Sequence, residues 1–189
     1  MRFVFHLLLM VAVALAVGFG LSWYLLTDNR FFGVVQSGPW VAWSDAGSPS
    51  PNPYTRAHLA RAGVLQLGQA EGLQFTATTD SEGRPLTRDC SYRIEGQTPV
   101  ATFWTLAALD AAGRNIAAPG TDIALRSSTI VRTGEGAIVV HVGTTLAPGN
   151  WLELTGNGPF SLVLTLYDTV ASSGFGSLDT MPAIVLEAC

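Results

Sequence analysis

Residues 3–26 form an unbroken stretch of 24 without a single Asp, Glu, Lys or Arg, and 20 of them are apolar. That stretch divides the chain before any other feature is considered. As a helix rising about 1.5 Å per residue it reaches roughly 36 Å, enough to cross a ~30 Å hydrocarbon core with some tilt. The rival reading is a cleaved signal peptide, since Arg2 supplies a minimal basic start and Ala14-Leu15-Ala16 has the small-x-small form that a signal peptidase accepts. The run, however, continues through Val17, Phe19, Leu21, Trp23 and Tyr24, whereas a signal core spans about 7–15 residues. The reading adopted is an uncleaved transmembrane anchor over residues 1–26. Trp23 and Tyr24 stand where an aromatic belt meets the outer interface, and Thr27-Asp28-Asn29-Arg30 returns the chain to water. Arg2 and the terminal amine favour a cytoplasmic N-terminus, although Arg30 on the far side weakens that asymmetry. The expectation from these residues is a single-pass protein with residues 27–189 outside. Ala12, Ala16 and Gly20 recur every four residues and make a small-residue stripe on which a second helix could pack. The plainer reading is that Ala and Gly are common throughout this chain.

Residues 27–189 hold 70 apolar positions in 163, an ordinary proportion for one domain with its own core. Nine arginines against fourteen acids leave this part at −5, and the chain contains no lysine. Nucleic-acid binding needs a dense cationic face, which is not available here. Cys90 and Cys189 are the two cysteines. In an oxidising compartment they can pair and close a loop of about 100 residues. Two unrelated thiols are the alternative, and a spacing of 99 is no metal signature.

Residues 27–53 read as a linker rich in Pro, Gly and Ser, ending in Gly47-Ser48-Pro49-Ser50-Pro51-Asn52-Pro53. Within it, residues 38–43 are apolar enough to pack on the domain or on the membrane surface. Residues 54–65 predict the one soluble helix, with Asn52 as its cap, Pro53 at its first position and Gly68 closing the segment. From Gly72 onward short β-rich runs alternate with turn chemistry. Strands are predicted over 73–79, 91–94, 102–109, 129–132, 137–142, 161–167 and 183–187, with turns at Asp80-Ser81-Glu82-Gly83, Asp110-Ala111-Ala112-Gly113 and Gly134-Glu135-Gly136. With no helix-length pattern between strands, residues 54–189 predict an all-β sandwich or jelly-roll-like domain carrying one short helix.

Motifs for chemistry are sparse. There is no G-x-S-x-G, a phosphate-binding loop would need the missing lysine, and no G-x-G-x-x-G follows a strand. His58 and His141 are isolated, so no metal site and no cofactor are expected. Glu71, Asp80, Glu82, Asp89, Glu95, Asp110 and Glu135 fall at strand ends or turns, where acids form and solvate turns; a glycosidase would instead need two of them facing across a cleft. Trp104 and Trp151 read as core, with a sugar- or lipid-binding platform as the alternative if either is exposed beside an arginine.

Several strings in order resemble a family. They are Pro53-Tyr54-Thr55-Arg56-Ala57, Asp80-Ser81-Glu82-Gly83-Arg84-Pro85-Leu86, Tyr92-Arg93-Ile94, and Phe103-Trp104-Thr105-Leu106 with Asp110 and Gly113. The most specific are Asn150-Trp151-Leu152, Gly158-Pro159-Phe160 and Leu164-Thr165-Leu166-Tyr167. Over about residues 53–187 the chain is similar to the uncharacterised bacterial family catalogued as domain of unknown function 1214. The resemblance implies a β-sandwich and an envelope setting, and it carries over no catalytic residues. It also implies a companion, because long members join this domain to one catalogued as 1254 and short members often have a separate protein carrying it. Leu109 stands where the family has an aromatic, and Thr165 where it usually has Arg. The motif residues Tyr54, Arg56, Trp104, Asp110, Gly113, Asn150, Trp151, Gly158, Pro159, Phe160 and Tyr167 are read as mainly structural. The functional expectation is a non-enzymatic binding or assembly module for a companion envelope protein. The alternative is an enzyme or carrier acting on envelope carbohydrate or lipid.

Overall fold

A computed structural model describes residues 2–27, 34–63, 67–68, 70–134, 136–169 and 181–189. The first element, α1 (Arg2–Thr27), contains the span Arg2–Tyr24, which is long and apolar enough to cross a membrane and has no buried residue. Asp28, Asn29, Arg30 and Glu135, which figure in the sequence reading, lie outside the described residues.

Two sheets follow. The six-stranded sheet takes β1 (Val34–Ser37), β2 (Trp40–Trp43), β3 (Gly72–Ala77), β9 (Phe160–Thr169), β5 (Ala101–Asp110) and β6 (Leu125–Arg126), side by side in that order and antiparallel throughout. The four-stranded sheet takes β10 (Ala183–Ala188), β4 (Ser91–Gly96), β7 (Ile138–Gly143) and β8 (Asn150–Glu153). Its last pair, β7 with β8, is parallel. Period-two alternation explains which face is buried. Leu73, Phe75 and Ala77 of β3 and Leu162, Leu164 and Leu166 of β9 point inward, while Gln74, Thr76, Ser161 and Thr165 point outward. Tyr92, Ile94, Ile138, Val140, Val142, Leu152 and Ile184 of the other sheet join them in one apolar cluster. The domain is thus mostly β, two sheets sharing a core, with few helices.

Three expectations need correction. The segment read as linker contains β1 and β2, a hairpin that extends the larger sheet, with Trp40 fully buried and its Nε1 donating to the Pro182 carbonyl at 2.7 Å. The soluble helix, α2 (Pro53–Ala62), stops earlier than read: Gly63, not Gly68, closes it in the left-handed conformation (φ 63°), where its N–H donates to the Leu59 carbonyl. The expected continuation over 64–65 lies outside the described residues. Residues 129–132 form no strand; Arg132 makes a single bridge to Ile138. At the start of α2 the Asn52 side chain accepts from the Tyr54 N–H, as its capping role requires.

Two turns share one design. In Asp80-Ser81-Glu82-Gly83-Arg84 and in Asp110-Ala111-Ala112-Gly113-Arg114, the aspartate Oδ1 accepts two backbone N–H groups and its Oδ2 accepts the arginine Nε. Gly83 (φ 85°) and Gly113 (φ 75°) supply the left-handed residue that closes each turn. Burial works to raise the Asp80 carboxyl, but hydrogen bonds from Arg84 and Glu82 outweigh it and hold the group below the usual carboxylate range. Asp110 is lowered chiefly by the Arg114 backbone N–H. A depressed folded pKa stabilises above the unfolded value of about 3.9 and is lost as pH falls through the lower folded value. Urea titrations should therefore show wild type losing stability below about pH 4 more steeply than Asp80→Asn. At neutral pH that variant should lose about 1–3 kcal/mol, because the turn's donors then face a weaker acceptor. Parallel acid limbs for the two proteins would refute the assignment.

Candidate functional site

The outward face of the six-stranded sheet is the most suggestive surface. Cross-strand partners line up in a row from edge strand to centre: Gln36, Val41, Thr76, Val163 and Ala107 lie side by side across β1, β2, β3, β9 and β5. Opposite neighbours on antiparallel strands share a face, so this row is continuous. Beyond it Phe103 and Tyr167 pair ring to ring at 5.7 Å. α2 covers one corner of the face, where the His58 ring stacks on Trp43 with centroids 4.5 Å apart. Burial, and then the charge of Arg61, push the His58 imidazole below its ordinary value and so favour its neutral form. Between the helix, the β1–β2 hairpin and the sheet runs an open groove of about 790 Å³, with Trp43, Leu59 and Leu67 toward one end and Thr78, Leu109 and Ser161 toward the other. Gly72 lies in its wall because a Cβ there would meet the Leu166 carbonyl oxygen.

The opposite sheet presents a charged face. His141 stands between its cross-strand neighbours Arg93 and Trp151, and its Nδ1 lies 3.1 Å from Glu187 Oε2. Arg93 Nε is 3.1 Å from Glu95 and 3.7 Å from Glu187. The two glutamates are thus tied to one guanidinium on a sheet face and do not oppose each other across a cleft. Asp80 and Asp110 are likewise occupied by their turns. Among the described residues no group of three or more His, Cys, Asp or Glu is placed to hold a metal ion.

The remaining sequence candidates are dispersed. Ala12, Ala16 and Gly20 are exposed along α1. Tyr54 is partly buried and Arg56 exposed on α2. Trp104 is 1% exposed with the Arg132 guanidinium 5.9 Å from its ring centre, and the Nε1 atoms of Trp104 and Trp151 are buried without a protein partner. Asn150 accepts from the Val131 N–H and donates to the Val131 and Val139 carbonyls, tying a loop to the parallel β7–β8 pair. Arg88 donates to the Gly158 and Thr155 carbonyls, which fixes the turn leading through Pro159 to the buried Phe160. Cys90 and Cys189 are joined in a disulfide with Cα atoms 4.0 Å apart. The groove was not among the sequence candidates. Only the apolar stretch 38–43 hinted at it.

The family described as Protein of unknown function (DUF1214) matches residues 71–171, more than half of the chain. The chain belongs to that family. The DUF1214 match takes in β3 to β9 and leaves out α1, the β1–β2 hairpin, α2 and β10. Among solved structures, the VPA0106 protein from Vibrio parahaemolyticus has a similar fold, with a TM-score of 0.57 at 16% identity over 73% of this chain. An uncharacterized protein from Burkholderia cenocepacia aligns at a TM-score of 0.46 and 14% identity over 87% of the chain. This DUF1214 chain spans 36% and 38% of the lengths of those two proteins. No curated protein matches it.

Proposed function

We propose that this chain is a single-pass protein of the bacterial inner membrane, anchored by residues 1–26 with its N-terminus in the cytoplasm. Its periplasmic β-sandwich acts as a non-enzymatic binding or assembly module for a companion envelope protein. The observation that carries this reading is the outward face of the six-stranded sheet, where Gln36, Val41, Thr76 and Ala107 of that row are exposed or half-buried and an open groove adjoins them. Two further features support it. The Vibrio protein of similar fold is much longer than the part that aligns, so a domain of this fold occurs there joined to further protein. The domain has no lysine and few charges, which suits packing against protein better than steering a charged substrate. The Ala12, Ala16 and Gly20 stripe supplies a second contact inside the membrane.

The test is purification of tagged full-length protein in gentle detergent. One envelope protein should follow it in fixed ratio. Thr76→Arg, which sets a cation in the middle of the row, should reduce that recovery by about tenfold or more, since an unpaired buried charge costs well above ~1.4 kcal/mol. Its melting temperature should stay close to wild type. Absence of a fixed-ratio protein, or recovery indifferent to Thr76→Arg, would defeat the proposal. The groove volume also falls in the ~300–1,000 Å³ range of small-molecule sites. A lipid or glycan recovered in place of a protein would favour the carrier reading.

A further inference from the structure

α2 carries a pattern that its packing does not use. Thr55 and Leu59 are buried, whereas Pro53, Arg56, Ala60 and Arg61 are exposed. At about 100° per residue, Arg56 and Arg61 lie about 140° apart around the helix, and Pro53, Ala57 and Ala60 fill the arc between them. The outward side is therefore a strip of small apolar residues with a guanidinium on each border. The helix sequence PYTRAHLARA contains no acid, although the chain as a whole is at −4. Asp45, which meets the first turn, has both oxygens engaged by Asn52 N and Thr55 Oγ1.

A shallow apolar strip with long cationic side chains at its borders suits a helix lying in the interface of a bilayer, where the stems pack low and the heads reach phosphates. The position of α2 agrees with its chemistry. α2 touches α1, and the Arg61 guanidinium stands 4.9 Å from the centre of the Trp23 ring, at the end of the apolar span Arg2–Tyr24. Tryptophan settles at headgroup level, so an α1 that crosses a membrane carries Arg61 to that level. Two arginines bind a membrane weakly by themselves. Tethering to an anchor makes the contact intramolecular, and a weak attraction then suffices.

We infer that α2 docks on the headgroups of anionic phospholipids through Arg56 and Arg61, and so fixes how the domain sits on the bilayer. The inference rests on the anchoring proposed above. The test places the full chain in nanodiscs of phosphatidylcholine, alone or mixed with phosphatidylglycerol, and follows amide hydrogen exchange over Pro53–Ala62. Each arginine near an anionic surface is worth about a fivefold factor, so exchange should slow by up to roughly 25-fold in the mixed discs. High salt should erase the difference. Arg56→Gln with Arg61→Gln should abolish the lipid dependence, and Arg56→Lys with Arg61→Lys should keep it, because the attraction is to charge. Equal exchange in both lipids, a response surviving the Gln pair, or one lost in the Lys pair would each overturn the inference and leave the anchor standing. A chain that does not stay with the discs would overturn both.

Discussion

Reduction of the Cys90–Cys189 bond should remove about 3–5 kcal/mol of stability, the largest effect expected of any single bond in this protein. The bridge joins residues 99 apart in sequence. In the chain-entropy account, closing a loop of about 100 residues restricts the unfolded ensemble by about 4.7 kcal/mol. The folded side is prepared for it. Cys90 precedes β4 and Cys189 follows β10, and these strands already pair, with Ala188 opposite Ser91. The bond therefore closes the end of an existing ladder. With a urea slope of about 2 kcal/mol per molar, the unfolding midpoint should fall by about 2 M in Cys189→Ser. A reductant should produce the same shift in wild type and none in the variant. Equal midpoints with and without reductant would refute this assignment. The consequence reaches location, because thiols in the cytosol are kept reduced. A domain on that side would forgo the contribution, so the proposed periplasmic placement and the bond agree.

How far the sequence could be read depended on how long each alternation ran. β5 and β9 each span ten residues. Their inward Trp104, Leu106 and Ala108, and Leu162, Leu164 and Leu166, repeat at a period of two often enough to be unmistakable. β6 has two residues and β8 four, too few to show a period, and β8 lies parallel to β7, with the Asn150 side chain bonded to residues 131 and 139 beside the ladder. The acids were legible because turn chemistry is local: the Asp80 and Asp110 carboxylates accept from residues two and four ahead. The groove was not legible for the opposite reason. It joins Val41 and Trp43 to Leu59, Leu109 and Val163, residues that only the strand order brings together. The lipid-facing strip of α2 was in plain sight as PYTRAHLARA, but its meaning required knowing which side Thr55 and Leu59 bury and that Arg61 meets Trp23.

The hairpin β1–β2 offers the sharpest test of that difference, through Trp40. A tryptophan in a linker resting loosely on a domain can be replaced at a cost within about 0.5 kcal/mol. Trp40 instead has none of its surface exposed and belongs to the apolar cluster shared by both sheets. Trp40→Ala should therefore cost about 3–5 kcal/mol, from lost burial and the cavity left behind. Trp40→Phe separates the ring from its N–H. It keeps most of the apolar contact but removes the donor to the Pro182 carbonyl, 142 residues away, and should cost about 1–3 kcal/mol. The order Ala, then Phe, then wild type in urea midpoint is the expected outcome. A loss below about 1 kcal/mol for the alanine variant would contradict the buried site. Because Pro182 immediately precedes β10, the alanine variant should also speed amide exchange in that strand ahead of global unfolding. The hairpin thus holds the larger sheet to the strand that leads to the disulfide, so the segment after α1 and the C-terminal end of the domain should loosen together.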